Sequence, residues 1–176
     1  MPERTVGLEV EKAYAKVKAL LLEKGCTIVA EEPTSHISIK HGSLRGVSPK
    51  SAKKEVSFHL FPKEAGTRIV SYSSVASDWA TLTFWGNVLA AIIAGIFWWI
   101  ASDLEAFISN QTAGYWIWLA RAFGYPDINY MSFMINLTKI LSIVLVVTII
   151  LEIADVVYVY SKIDRFADET LSELPK

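Results

Sequence analysis

Five basic residues lie close together in a stretch of the chain that contains no acidic residue. They are Lys40, Arg45, Lys50, Lys53 and Lys54. Glycine, serine and proline are frequent between residues 41 and 54, which predicts a mobile loop. A base held near a membrane surface attracts anionic lipid headgroups by about 1 kcal/mol. The cluster therefore indicates contact with an anionic headgroup or a protein partner, and the alternative is a loop whose charges are simply solvated.

A second group of polar residues lies within an otherwise apolar segment. Asn136 and Lys139 are three residues apart and so adjoin on a helix. A lysine at the centre of a bilayer costs about 2.5–3.5 kcal/mol. Lys139 either extends its ammonium outward to the membrane surface or faces inward against an acid or water, lining a polar pathway with Asn136 in an oligomer. Glu152 and Asp155 share a helix face at the inner boundary of this segment.

The residue patterns of known catalytic and metal sites are absent from the sequence. His36 and His41 are five apart on an extended segment and point to opposite faces, and no cysteine or acid stands at a metal-ligand spacing. No nucleophile elbow, phosphate loop or HExxH pattern occurs. We therefore expect no catalytic residue, metal or cofactor. An enzyme acting on lipid substrates is the remaining enzymatic hypothesis, and no motif specifies its reaction.

The distribution of charge argues against nucleic acid as a partner. Residues 1–77 contain 12 lysines and arginines against 8 acids, and the whole chain has a net charge of -1. Aromatic residues do not alternate with the bases, as a stacking platform for single-stranded nucleic acid requires. We therefore expect no nucleic-acid partner.

The first part of the chain predicts a small α+β domain. Period-two alternation indicates strands at 6–10, 26–30, 36–40, 55–61 and 67–75, and apolar residues three and four apart indicate a helix over 13–21. The predicted order is β-α-β-β-β-β, with one helix on a mainly antiparallel sheet. About 70 residues make a small core, so we expect support from the membrane helices, the C-terminal tail or another copy.

Two apolar segments follow this domain. The stretch 80–100 contains no charged residue, and about 20 apolar residues suffice to cross a bilayer. We predict a soluble domain at 1–77, a two-span all-α transmembrane hairpin at 78–161 with spans at about 79–101 and 131–153, and a cytoplasmic tail at 162–176. Bases concentrate outside the connection 102–127, so both termini are predicted to be cytoplasmic.

Smaller features complete this membrane interpretation. Gly86, Ala90 and Ala94 recur every four residues, a spacing that lets helices pack closely. The aromatic segment 112–125 predicts a helix lying in the outer interface, with a shallow re-entrant element as the alternative. Asn110 begins a glycosylation acceptor pattern, which we expect to be unused so near the membrane.

The sequence thus favours a non-enzymatic integral membrane protein. Its small cytoplasmic domain is expected to bind a protein partner, a lipid headgroup or another subunit. The alternative is a subunit of a homo-oligomeric channel or transporter, in which Asn136 and Lys139 line the pathway. Membrane lipid and a second copy or protein partner are therefore the expected contacts.

Overall fold

A computed structural model describes residues 1–110 and 114–175 of the chain. These residues form two compact units, one made of Met1–Thr83 together with the described residues from Ala154 onward, and the other made of Phe84–Ile153. The structure thus groups the chain differently from the linear division at 77 and 161. Residues from both ends of the sequence share the first unit.

The first unit contains a five-stranded antiparallel sheet. Its elements are β1 (Glu3–Val6), α1 (Val10–Glu23), β2 (Thr27–Glu32), β3 (His36–His41), β4 (Lys54–Lys63) and β5 (Gly66–Val75). The strands lie in the order β1-β5-β4-β3-β2. This confirms the predicted succession β-α-β-β-β-β and the α+β class.

The first strand is shifted from its predicted position. It covers Glu3–Val6 rather than 6–10, and Val10 already begins α1. The reason lies in its partner: β1 pairs with β5 from Glu3 opposite Val70 to Val6 opposite Thr67, and β5 begins at Gly66. Beyond Val6 no strand is left to pair with, so the chain turns into the helix.

The core of the first unit lies between one face of the sheet and the helices. Helix α1 contributes Ala13, Val17 and Leu21, which are fully buried. Alternate residues of the strands face them, including Ile37 and Phe58, which are paired in register. Period-two burial in the strands and three-to-four spacing in the helix thus produce a single apolar layer.

A second helix lies on the same core, which corrects the prediction of a single helix. The segment predicted as a tail folds into α4 (Arg165–Ser172), and its Ala167 and Leu171 are buried in the core. The guanidinium of Arg4 in β1 donates a hydrogen bond of 2.6 Å to the carbonyl oxygen of Leu171. The first unit therefore draws its support from the end of the sequence.

The second unit contains most of the two long helices, α2 (Ser77–Asn110) and α3 (Ile128–Ser161), each of 34 residues. Both are long and apolar enough to span a membrane. Only 11% and 6% of their most apolar windows are buried. The helices contact each other through a small cluster (Ala101, Leu104, Met131 and Ile135), and the Ser142 hydroxyl donates to the Ala94 carbonyl at 2.8 Å.

The connection between these helices differs from the predicted interfacial helix. In the described part, 114–127, the helical element is a short 3₁₀ turn at Ile117–Leu119, and residues 112 and 113 lie outside the described residues. The Asp103 carboxylate accepts a hydrogen bond of 2.6 Å from the Trp116 backbone N–H. Trp99 stacks on Tyr115 with ring centroids 5.5 Å apart. These contacts fold the segment onto the end of α2 in a turn conformation.

Candidate functional site

The loop between β3 and β4, residues 42–53, carries most of the predicted basic cluster and is held by its own backbone. The Ser43 N–H donates to the Ser51 carbonyl at 2.7 Å, and the Lys53 N–H donates to the Ser43 carbonyl at 3.1 Å. Gly42 has a φ of +96°, a conformation that favours glycine. The loop that was expected to be mobile is thus closed by hydrogen bonds between its own backbone groups.

This β3–β4 loop is attached to the first turn of α2. The indole N–H of Trp79 donates a hydrogen bond of 2.9 Å to the Gly46 carbonyl. Trp79 is 4% exposed and packs in a buried cluster with Ala52 and Val159. The ammonium of Lys53 forms an ion pair with Asp78. A side chain on Gly46 would overlap the backbone of Ser51, so only glycine fits this contact.

The five predicted bases separate into three groups. Lys54 is 1% exposed, and its ammonium donates to the Pro49 carbonyl and lies 5.3 Å from the centre of the Phe166 ring. Burial lowers the pKa of Lys54. This residue is not available for a surface contact, because its side chain points into the first unit.

The four remaining bases lie nearer the surface, and two of them already have acidic partners. Lys53 pairs with Asp78, and Lys40 pairs with Glu55 at 3.0 Å. Arg45 and Lys50 are exposed, and neither lies within ion-pair distance of an acid in the described part of the chain. The anion-binding capacity of the loop therefore rests on Arg45 and Lys50.

Two apolar side chains at the same loop were missed by sequence reasoning. Leu44 is 42% exposed and Val47 is 64% exposed, on either side of Arg45 and Gly46. Their signal in the sequence was an apolar pair inside an otherwise polar loop. The loop tip, residues 44–47, thus presents apolar and basic groups together.

Lys139 in the second unit has an acidic partner on the neighbouring helix. Its ammonium lies 2.5 Å from the Glu105 carboxylate and 5.9 Å from the centre of the Trp98 ring. From the sequence, Glu105 was placed in the connection, because the apolar stretch ends near residue 101. In the structure α2 continues to Asn110 and therefore includes Glu105. Asn136 is exposed on α3. The structure therefore pairs Lys139 with Glu105 and not with Asn136.

The other predicted residues of the helices differ in their surroundings. Within the part of the chain that the structure describes, Glu152 and Asp155 form no ion pair. Of the three small residues, Ala94 is buried at the contact with Ser142, Ala90 is half-buried, and Gly86 faces open space. The close approach of the helices therefore occurs at Ala94.

The histidines lie on both faces of the sheet, as predicted. His36 and His59 are opposite each other in register on the open face, with ring centroids 4.6 Å apart. His41 lies on the core face and stacks on Phe166 at 4.3 Å. Burial lowers the pKa of His41, and the nearby Lys54 and Lys24 lower it further.

Comparisons with known proteins do not place this chain in a family. No family model matches it, and no curated protein matches it. Among solved structures, the crystal structure of protein MLL2253 from Mesorhizobium loti aligns with 44% of this chain and 77% of its own length, at 18% identity and a TM-score of 0.36. Similarity at that level carries no argument about this chain.

Proposed function

We propose that this chain is a non-enzymatic integral membrane protein that crosses the bilayer twice. Its α+β unit lies at the cytoplasmic surface, where Arg45 and Lys50 bind anionic lipid headgroups. The observation that carries this proposal is the shared core of the first unit. Because β1 before the long helices and α4 after them pack together, both flanking segments lie on one side of any membrane between them.

The surface of the long helices supports their insertion. Only 11% and 6% of their most apolar windows are buried, whereas the core helix of a soluble protein is mostly buried. Exposed residues such as Leu89, Ile92 and Ile143 would otherwise form an apolar patch far larger than soluble proteins tolerate. A helix of 34 residues is about 51 Å long, which exceeds the hydrocarbon core of about 30 Å.

The distribution of bases supports the cytoplasmic orientation. Residues 1–77 contain 12 bases, whereas the connection 102–127 contains Arg121 alone against three acids. Bases near the ends of spans stay on the cytoplasmic side. The side that carries the first unit is therefore the cytoplasmic side in this proposal.

Labelling of single cysteines tests the topology. Lys50→Cys and Arg121→Cys introduce exposed thiols in the first and the second unit. Burial raises the pKa of the native Cys26 thiol to about 11, so Cys26 stays protonated and unlabelled. We expect a membrane-impermeant maleimide to reach positions 50 and 121 from opposite sides of sealed vesicles. Labelling of both from one side overturns the two-span proposal.

Hydrogen exchange tests the headgroup contact. The full chain is reconstituted in nanodiscs of neutral lipid or with added anionic lipid, and exchange is followed at the amides of residues 44–50. We expect anionic lipid to slow this exchange in the native chain and to have no effect in Arg45→Gln/Lys50→Gln. Lys16→Gln, on the exposed side of α1, is the matched control and should retain the effect.

Slow exchange that is equal in both lipids would overturn headgroup binding, because the hydrogen bonds within the loop would then account for the protection. Equal and fast exchange in both would overturn any contact there. Since the topology is measured separately, failure of the headgroup contact is distinguishable from failure of insertion.

The second function is a channel or transporter, and the observation that bears on it is that the second unit carries an ion pair, Lys139 with Glu105, and an exposed Asn136 on helices apolar enough to span a membrane. Two helices cannot enclose a pathway, so a channel or transporter requires several copies of the chain. Ion flux into proteoliposomes, compared with Lys139→Ala, tests this function. A monomer in mild detergent without flux would remove it.

A further inference from the structure

We propose that the tip of the β3–β4 loop inserts Leu44 and Val47 into the membrane interface. This inference rests on the proposed function and deepens it, because it names the lipid acyl boundary as a second contact of the same loop. It makes the loop an interfacial anchor that fixes how deeply the first unit sits at the bilayer. Headgroup attraction alone would leave that depth undetermined.

The composition of the tip carries the first part of this inference. Leu44 and Val47 expose 42% and 64% of their surface. Arg45 stands between them and Lys50 follows, both exposed. Apolar side chains beside bases are the composition of segments that lie in the headgroup and acyl boundary, where apolar burial and attraction to anionic lipid add.

The rigidity of the tip carries the second part. The Gly46 N–H donates to the Ser43 carbonyl at 3.0 Å, and the Ala52 N–H donates to the Ser48 carbonyl at 2.7 Å. These bonds hold the backbone with the apolar side chains outside. Insertion therefore costs less ordering entropy than insertion of a mobile loop would.

The attachment to α2 carries the third part and identifies the occupant as lipid. The Gly46 carbonyl, in the middle of the tip, accepts the indole N–H of Trp79 at 2.9 Å. Trp79 is also the first residue of the charge-free stretch of α2, which begins directly after Asp78. The tip is thus bound to the turn of α2 at which the chain passes from the polar unit into its lipid-facing segment.

A fluorescent label tests the insertion in the full chain. Val47→Cys is labelled with an environment-sensitive dye and reconstituted in nanodiscs that contain lipids with a doxyl quencher near the headgroup end of the acyl chain. We expect the dye to shift its emission to the blue and to be quenched by the doxyl lipid. The matched control is Val29→Cys on β2, which is 55% exposed and should remain in water.

A third label, Ile92→Cys in the charge-free stretch of α2, separates the two proposals. If position 92 is quenched by lipid while position 47 behaves like position 29, insertion of the tip is overturned and the two-span proposal stands. If neither position is quenched, both are overturned. Quenching at position 47 that is weakened in Leu44→Ser and lost in Leu44→Asp would further support apolar contact of Leu44, and equal quenching in the presence and absence of both changes would overturn it.

Discussion

The Trp79 side chain connects the β3–β4 loop, the start of α2 and the last turns of α3. Its indole fills the space between Ala52, Ala76 and Val159, and its N–H reaches the Gly46 carbonyl. A tryptophan placed at the start of an apolar stretch is typical of an interfacial belt. The structure instead buries it, so its polar N–H needs a partner within the protein.

Replacing Trp79 with phenylalanine should loosen the β3–β4 loop. The change removes the donor to the Gly46 carbonyl and should lower the free energy of unfolding of the first unit by about 1–3 kcal/mol. Faster hydrogen exchange at residues 43–52 is the local measurement. Trp85→Phe, at an exposed tryptophan of α2, should leave that exchange unchanged, and an equal effect of both changes would contradict the assigned role.

His41 makes the stability of the first unit depend on pH. Burial lowers its pKa from the ordinary value of 6.5, and its Nδ1 has no hydrogen-bond partner among the described residues. The unfolded chain therefore binds the proton more readily than the folded chain. Stability is fully present above pH 6.5 and declines as the pH falls toward the lowered pKa.

The variant His41→Gln should flatten this decline, as measured by chemical unfolding at several pH values between about 5 and 7. His59 adds a decline of the same sign, because burial and His36 lower its pKa. His59→Gln should therefore remove a separate part of the slope. A His41→Gln slope identical to that of the native chain would show that this imidazole does not contribute.

Helix α4 is the element that most changes the interpretation of the sequence. Its buried residues Ala167 and Leu171 fill the core beside α1, and the Lys24 ammonium pairs with Glu173 at 2.7 Å. The first unit was expected to need outside support because of its small size. The structure supplies that support from residues more than 140 positions away in the sequence.

Leu171→Ala should therefore destabilise the first unit by about 2–5 kcal/mol, because it removes buried apolar surface and leaves a cavity. Chemical unfolding followed by circular dichroism in mild detergent measures this loss. Leu22→Ala, at an exposed leucine of α1, is the control and should change stability by less than about 0.5 kcal/mol. A loss in Leu171→Ala as small as that expected for Leu22→Ala would show that α4 is not part of the core.

The contact between the two long helices gives a second prediction at the level of secondary-structure elements. Lys139 and Glu105 are in direct contact, and residues in contact couple by about 0.5–3 kcal/mol in double-mutant cycles. We expect Glu105→Gln to lower thermal stability in nanodiscs more than Lys139→Met, because it leaves a charged lysine unpaired. The double variant should resemble Lys139→Met, and strict additivity would argue against the ion pair.

The sequence predicted the elements that have a local signal and missed those determined by distant partners. Alternation at Ile37, Ile39, Val56 and Phe58 was sufficient for β3 and β4, since one face of each strand is buried. The conformation of the β3–β4 loop depends on a hydrogen bond to Trp79, and the partner of Lys139 lies 34 positions away on another helix. Neither contact follows from spacing along the chain.

On the scale of the whole molecule, the first unit should behave as one cooperative body. Its two chain segments share a core, so the amides of α4 and β5 should exchange through the same opening with similar free energies. Native-state hydrogen exchange measures both. Exchange of α4 that is far faster than that of β5 would identify it as an independent, frayed segment.

The shared core also has a consequence for biosynthesis. The ribosome completes the sheet early, but the residues that cover its remaining apolar surface emerge only after 84–153 have been made. Until then the apolar core that Ala167 and Leu171 complete stays partly uncovered in the nascent chain, and exposed apolar surface of that kind favours aggregation.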